Sequence, residues 1–386
     1  MHDLSHDMNN NSERDSKIEI TDKVVVPNTS KSDSPELFLP MQNEASPILL
    51  ATPKTAWQDL PVPEGPDKHE PYFEKSCACL SKLNLIGARV RGKSHKHVGT
   101  NCDDWFEFDV CQDWVIIAAA DGVGSRKLSR VGAKTACRTA VSTLREYLKP
   151  IKLITRTDLK QFRGRGKDGR YLDADMNNVE QALFRAIDNA YHAIEEARDI
   201  RKEKLEYLEY LGHEPEVHDF STTLLLAVHN SFVLCDKIYD FIMSLQVGDG
   251  MIAAVNVDNK LKLLGKPDSG EFAGEVIPLT NKKLRDDREK RHRVFSTVQR
   301  MKALLLMTDG VADDYFPNDP EMLQLYRDLI KEHIINSSEN PNEDYRENNQ
   351  ELAPTEARLR KWLDSYTVKG SFDDRTLVVL FREANQ

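Results

Sequence analysis

Aspartates stand where short apolar runs begin or end, and that placement constrains this chain more than any other feature. Trp114–Ala120 runs directly into Asp121 and Gly122, Phe241–Val247 into Gly248-Asp249-Gly250, and Ala303–Met307 into Thr308, Asp309 and Gly310. Asp103 and Asp104 precede WFEFDV, and Asp373 and Asp374 open the segment FDDRTLVVLF. The runs are short, β-branched in places and bounded by Gly, Asp or Asn, which reads as strands rather than helix cores. One Asp-Gly is ordinarily a turn. Several acidic strand ends meeting at one edge of a sheet would repel one another, unless a hard divalent cation gathered their oxygens.

The remaining patterns set the fold class. Thr222–Val228, Met251–Val257 and Thr376–Phe381 read as further strands. Ser129 is expected to cap a helix with Val131, Val141, Leu144 and Leu148 near one face. Val179, Leu183, Ala186, Ile187, Ala190, Tyr191 and Ile194 are spaced by three and four, and further helices are expected over 319–335 and 355–365. This order lacks strict βαβ alternation. Adjacent runs at 241–247 and 251–257 suggest an antiparallel meander, so the fold class is α+β, with helices covering antiparallel sheets.

Residues 1–75 hold nine of the 17 prolines and few periodic apolar positions, so they are expected to form a disordered or loosely docked arm. Leu37–Met41 and Ile48–Leu50 are its apolar pieces. The folded domain is expected over 76–386. Fifty-three basic against 63 acidic residues leave a net charge of −10, which argues against a nucleic-acid or anionic-membrane binder. No apolar run approaches the roughly 18 residues of a membrane span. The start MHDLSHDMNN lacks the apolar core of a secretory signal, and six cysteines are too few for a disulfide scaffold, so a cytoplasmic monomer is expected.

The run AAADGVGSRKLSRVGAKTA resembles the metal-binding segment of the metal-dependent serine/threonine protein phosphatases, the type 2C or PPM family. NCDDWF resembles the family's early acidic motif and DFSTTLLLAV its Ser-Thr strand. SLQVGDGMIAAV resembles the Gly-Asp hairpin, LLLMTDGVADD the second Asp-Gly motif, and FDDRTLVVL the closing strand. The match spans about 83–383, and GKSH…GTNCDDW is closest to a bacterial branch. The resemblance implies a four-layer α-β-β-α sandwich of two antiparallel sheets, with two Mg²⁺ or Mn²⁺ ions at one end. It implies that Asp121 bridges both metals and that the Gly122 carbonyl binds one. Asp309 and Asp373 complete one shell, Asp103 and, through water, Asp104 serve the other, and Asp249 supports a third, weaker metal. A water acidified by the cations would attack phosphoserine or phosphothreonine of a protein substrate.

Two departures accompany the match: Asp103 is shorter than the usual Glu, and Asp374 replaces the usual Asn. The family's phosphate-binding arginine has no clear counterpart, and among Arg91, Lys93, His95, Lys96 and His97 the residue chosen for that role is His95. The insert FRGRGKDGR at 162–170 reads as a solvated loop, and 281–293 as an exposed helix or a flap beside the site. The stretch 337–349 reads as an acidic insertion, and Trp105, Trp114, Cys102 and Cys111 as buried residues. A non-catalytic regulatory module or a small-molecule phosphoesterase on the same fold are the alternative functions. A degenerate module would be expected to lose Asp121, Asp309 or Asp373, and all three stand.

Overall fold

The computed structural model describes residues 57–79, 82–153, 159–162, 164–268, 276–335, 353–366 and 372–382. Most of the expected arm, with Leu37–Met41 and Ile48–Leu50, and the stretch 337–349 lie outside the described residues. The first half of the chain forms β1 (Tyr72–Cys79), β2 (Leu83–Val90), α1 (Lys93–Val98), β3 (Trp105–Cys111), β4 (Trp114–Ala120), α2 (Ser129–Leu148) and α3 (Ala174–Lys202). Then follow α4 (Leu205–Leu211), β5 (Leu224–Leu234), β6 (Lys237–Val247), β7 (Met251–Asn256), β8 (Leu261–Leu263) and α5 (Asp287–Arg291). The last elements are β9 (Val294–Gln299), β10 (Met301–Met307), α6 (Asp309–Ala312), α7 (Asn318–Lys331), α8 (Thr355–Ser365) and β11 (Arg375–Arg382).

The strands make two antiparallel sheets, one in the order β1-β2-β11-β10-β7-β8 and the other β3-β4-β5-β6-β9. The central strands are apolar on both faces because each sheet is covered twice. One face of each sheet packs on the other sheet, through Leu85, Phe106, Ile117, Leu225, Leu304 and Leu380. Outside the five-stranded sheet, Leu144, Leu183 and Ile187 of α2 and α3 pack on Ile116 and Leu226. Outside the six-stranded sheet, Leu325 and Leu359 of α7 and α8 pack on Leu305 and Val379. These layers are the expected α-β-β-α sandwich.

The expected meander between 241–247 and 251–257 does not form. β6 pairs with β5 and β9, whereas β7 pairs with β10 and β8, so Gly248-Asp249-Gly250 crosses from one sheet to the other. A Gly-Asp-Gly turn serves either connection equally well, which is why its sequence reads as a hairpin. Gly248 has φ +105°, and a Cβ there would stand 2.4 Å from the Thr223 side chain, so the crossing requires glycine.

Two other expectations change, and two loop segments gain anchors. The boundary at residue 75 falls inside β1, and the segment before it is fastened to the domain: Asp67 takes both guanidinium arms of Arg201 at 2.7 Å and the Tyr207 hydroxyl at 2.8 Å. Ser129 is the first residue of α2 rather than its cap, and its hydroxyl is buried without a hydrogen-bond partner among the described residues. The 281–293 segment carries the short, largely exposed helix α5, anchored through one buried lysine. The Lys290 ammonium is 1% exposed and lies 2.7 Å from both carboxylate oxygens of Asp188 on α3. In the 162–170 insert, Arg165 pairs with the buried Glu180 at 2.9 Å, so the loop is pinned at its base.

Candidate metal centre

Three strand ends from two sheets bring three carboxylates together. Asp121 leaves β4, Asp249 lies on the crossing from β6 to β7, and Asp309 leaves β10. Each offers an oxygen, and these oxygens all lie within 4.8 Å of one another. The backbone around Asp121 is tied down from β5: its N–H donates to Thr223 Oγ1 at 2.8 Å, and its carbonyl accepts from the Thr223 N–H and the Thr222 hydroxyl. Gly122 follows so closely against the next segment that a Cβ would stand 2.9 Å from the Asp103 carbonyl. The Asp309 carboxylate is steadied by the Gly310 N–H at 2.7 Å.

A second set adjoins it. His95 Nδ1, Asp373 and Asp374 also have ligand atoms within 4.8 Å of one another. Asp374 is 1% exposed and works as a tie: Oδ1 accepts the Gly92 N–H and Oδ2 the Asp103 N–H, both at 2.6 Å. Beneath both sets lies Asp104, wholly buried, whose Oδ2 accepts the hydroxyls of Thr308 at 2.8 Å and Thr376 at 2.6 Å.

The electrostatics follow from burying acids together. Burial, then Asp309 and Asp104, hold the Asp121 carboxyl well above the usual carboxylate range. Burial, then Asp249 and Asp373, do the same to Asp309. Asp249 is raised by burial, Asp313 and Asp268, and Asp373 by burial and Asp374. Burial and Asp374 push both Asp103 and Asp104 up to about 7. His95 moves the opposite way to its burial: desolvation lowers it, but Asp374, Asp103 and Asp373 raise it to about 9.

The donor set fits a hard divalent cation. All the gathered ligands in the first group are carboxylate oxygens, and Asp249 Oδ1 is buried without a hydrogen-bond partner. Cations there would neutralise the mutual repulsion that raises every one of these carboxyls.

The family model described as protein phosphatase 2C matches residues 91–364. The chain belongs to the protein phosphatase 2C family. As a member of protein phosphatase 2C it is a metal-dependent protein phosphatase of the serine/threonine class. Among solved structures it is similar to a phosphatase from a pathogenic strain of Toxoplasma gondii, at 10% identity and TM-score 0.45, covering 81% of this chain and 96% of that one. It is also similar to a bacterial serine phosphatase, at 15% identity and TM-score 0.39 over 82% and 100% of the two chains. RsbX in complex with magnesium is similar at 12% identity and TM-score 0.38, over 80% and 99%. Among curated proteins none matches this sequence. Membership rests on the family model rather than on these distant likenesses.

Within this phosphatase the residues named from sequence divide by position. Asp121, Asp249 and Asp309 converge in the first group. Asp373 groups with His95 and Asp374, the Asp103 N–H bonds Asp374, and Asp104 gives one oxygen, Oδ2, to two threonines. Arg91 and Lys96 face elsewhere. Arg91 is 3% exposed and bonded to the carbonyls of Thr100 and Leu60, and Lys96 pairs with Asp364. Both line a cavity of about 430 Å³ beside α8. Sequence reasoning missed Thr308 and Thr376, although each adjoins an acidic motif, and it missed Asp313, whose charge raises both Asp249 and Asp309.

Proposed function

We propose that this phosphatase hydrolyses phosphoserine and phosphothreonine on protein substrates, using Mg²⁺ or Mn²⁺ held by Asp121, Asp249 and Asp309, with Asp103, Asp373 and the Gly122 carbonyl completing the set. The observation that carries this reading is the convergence of three carboxylates from three strand ends within 4.8 Å. Two such cations, with a weaker third, supply the positive charge that lowers the pKa of a water and draws in the phosphoryl oxygens.

The chain's own groups do the rest. Asp104, held by Thr308 and Thr376, lies close enough to Asp121 that its charge helps raise the Asp121 carboxyl. Asp374 fixes the Asp103 backbone and holds His95 at the mouth. His95, raised to about 9 by Asp374, Asp103 and Asp373, would in this reading carry its proton at neutral pH and donate to a phosphoryl oxygen, stabilising the charge that grows as water attacks. Among the described residues no helix is long and apolar enough to cross a membrane. All six cysteines are free thiols, which supports assignment to a reducing, cytoplasmic compartment. Release of phosphate from a phosphothreonine peptide, compared with a small phosphomonoester, tests the substrate class. Activity confined to the small ester would overturn it.

A further inference from the structure

Next in sequence to Asp104, the Trp105 indole is crowded by three cations. The Arg89 guanidinium lies 4.7 Å from the Trp105 ring centroid, the Lys134 ammonium 4.3 Å and the Arg138 guanidinium 5.4 Å. None of the three forms an ion pair among the described residues. Their mutual repulsion is felt: burial, then Arg138 and Arg89, lower the Lys134 pKa. His69 packs on the same ring at 5.4 Å between centroids. The nearby acids are already engaged, Asp67 by Arg201 and Tyr207, and Glu107 by Lys75.

Cation–π attraction accounts for one cation on the ring, not for the donors left over. Arg89 is 1% exposed, and both its Nε and its Nη1 are buried without a hydrogen-bond partner. The indole Nε1 of Trp105 is buried and unpartnered as well. A buried unpaired donor costs about 1–3 kcal/mol, and more when charged, so three together call for an acceptor. An acceptor that also relieves the crowding of positive charge must be an anion. Lys134 is half-buried and Arg138 exposed, which leaves the cluster open toward solvent at α2.

We propose that Arg89, Trp105, Lys134 and Arg138 form an anion-binding site for a phosphate group, built from none of the residues of the metal centre. The guanidinium and indole N–H groups donate from inside, and Lys134 and Arg138 close over the phosphate from the helix. The phosphate is either free inorganic phosphate or the phosphorylated side chain of a protein.

The test uses the full chain with excess chelator, where the bare acid cluster repels anions and no turnover is required. Failure here is therefore distinguishable from failure of the phosphatase reading. Tryptophan fluorescence and the unfolding midpoint are followed during titration with inorganic phosphate and, in parallel, with a phosphoserine peptide. A saturable change that weakens on the order of tenfold or more in Lys134→Met/Arg138→Met supports the site. The arm with the lower Kd then identifies the source of the phosphate. Arg89→Met, used where circular dichroism matches the wild type, is expected to abolish the change. Absence of a saturable change in both arms, or the same Kd in the Lys134→Met/Arg138→Met variant, would overturn it.

Discussion

His95 Nδ1 stands 2.9 Å from Oδ2 of Asp374, the same oxygen that accepts the Asp103 N–H. A single carboxylate thus holds the candidate phosphate-binding cation and the early acidic motif in one frame. His95→Ala is expected to raise KM and to lower kcat/KM by tenfold or more, on the order of one lost charged donor, with metal affinity little changed. His95→Arg should recover much of the loss, since arginine offers a fixed fork to phosphoryl oxygens. Steady-state kinetics beside metal titration decide it, and an unchanged kcat/KM in His95→Ala would remove His95 from the site.

Asp374→Ala should cost more stability than a surface substitution, because the N–H groups of Gly92 and Asp103 would be left buried without acceptors. The expected loss is about 2–4 kcal/mol in denaturant unfolding, from two orphaned donors. A loss below half a kcal/mol would show that the tie is replaceable by water.

How much of this was legible in sequence divides along physical lines. β4 was readable to the residue, as Trp114–Ala120, because a buried strand bounded by Asp and Gly has no other reading. The long helix α3 was readable because Val179, Leu183, Ile187 and Ile194 keep one face. The sheet crossing at Asp249 was not, since turn chemistry is local and sheet membership is set by distant partners. Asp104 and Asp121 both border strands in sequence, yet only the fold turns Thr308 and Thr376 onto Asp104. The docking of residues 57–71 was hidden for the same reason: Asp67 finds Arg201 across 134 positions of chain.

That docking predicts unequal truncations. Removing residues 1–54 should leave the unfolding midpoint and peptide activity near wild type. Removing 1–75 also takes half of β1 and strips Arg201 of Asp67. Losing this part-buried pair together with half of a sheet strand should lower stability sharply. Equal midpoints for the two truncations would contradict the packing described here.

His69 sets an acid limb of stability. Burial first, then Arg89, Lys134 and Arg130, lower its pKa from 6.5 to about 3. The unfolded chain therefore takes up a proton near pH 6.5 that the folded chain refuses until about pH 3. Stability should fall as pH drops through that window, by up to about 1.4 kcal/mol per unit. His69→Gln should flatten the slope between pH 6.5 and 5 relative to wild type. Parallel slopes for the two proteins would show that His69 titrates normally.

Whether Asp121, Asp249 and Asp309 form one cation centre that drives hydrolysis is decided by phosphate release from a phosphothreonine peptide. The expected result is turnover with Mn²⁺ or Mg²⁺, none in excess EDTA, recovery on adding metal back, and a loss of about 100-fold or more in Asp121→Asn and Asp309→Asn. Full turnover in EDTA, or a near-wild-type rate in Asp309→Asn, would contradict it.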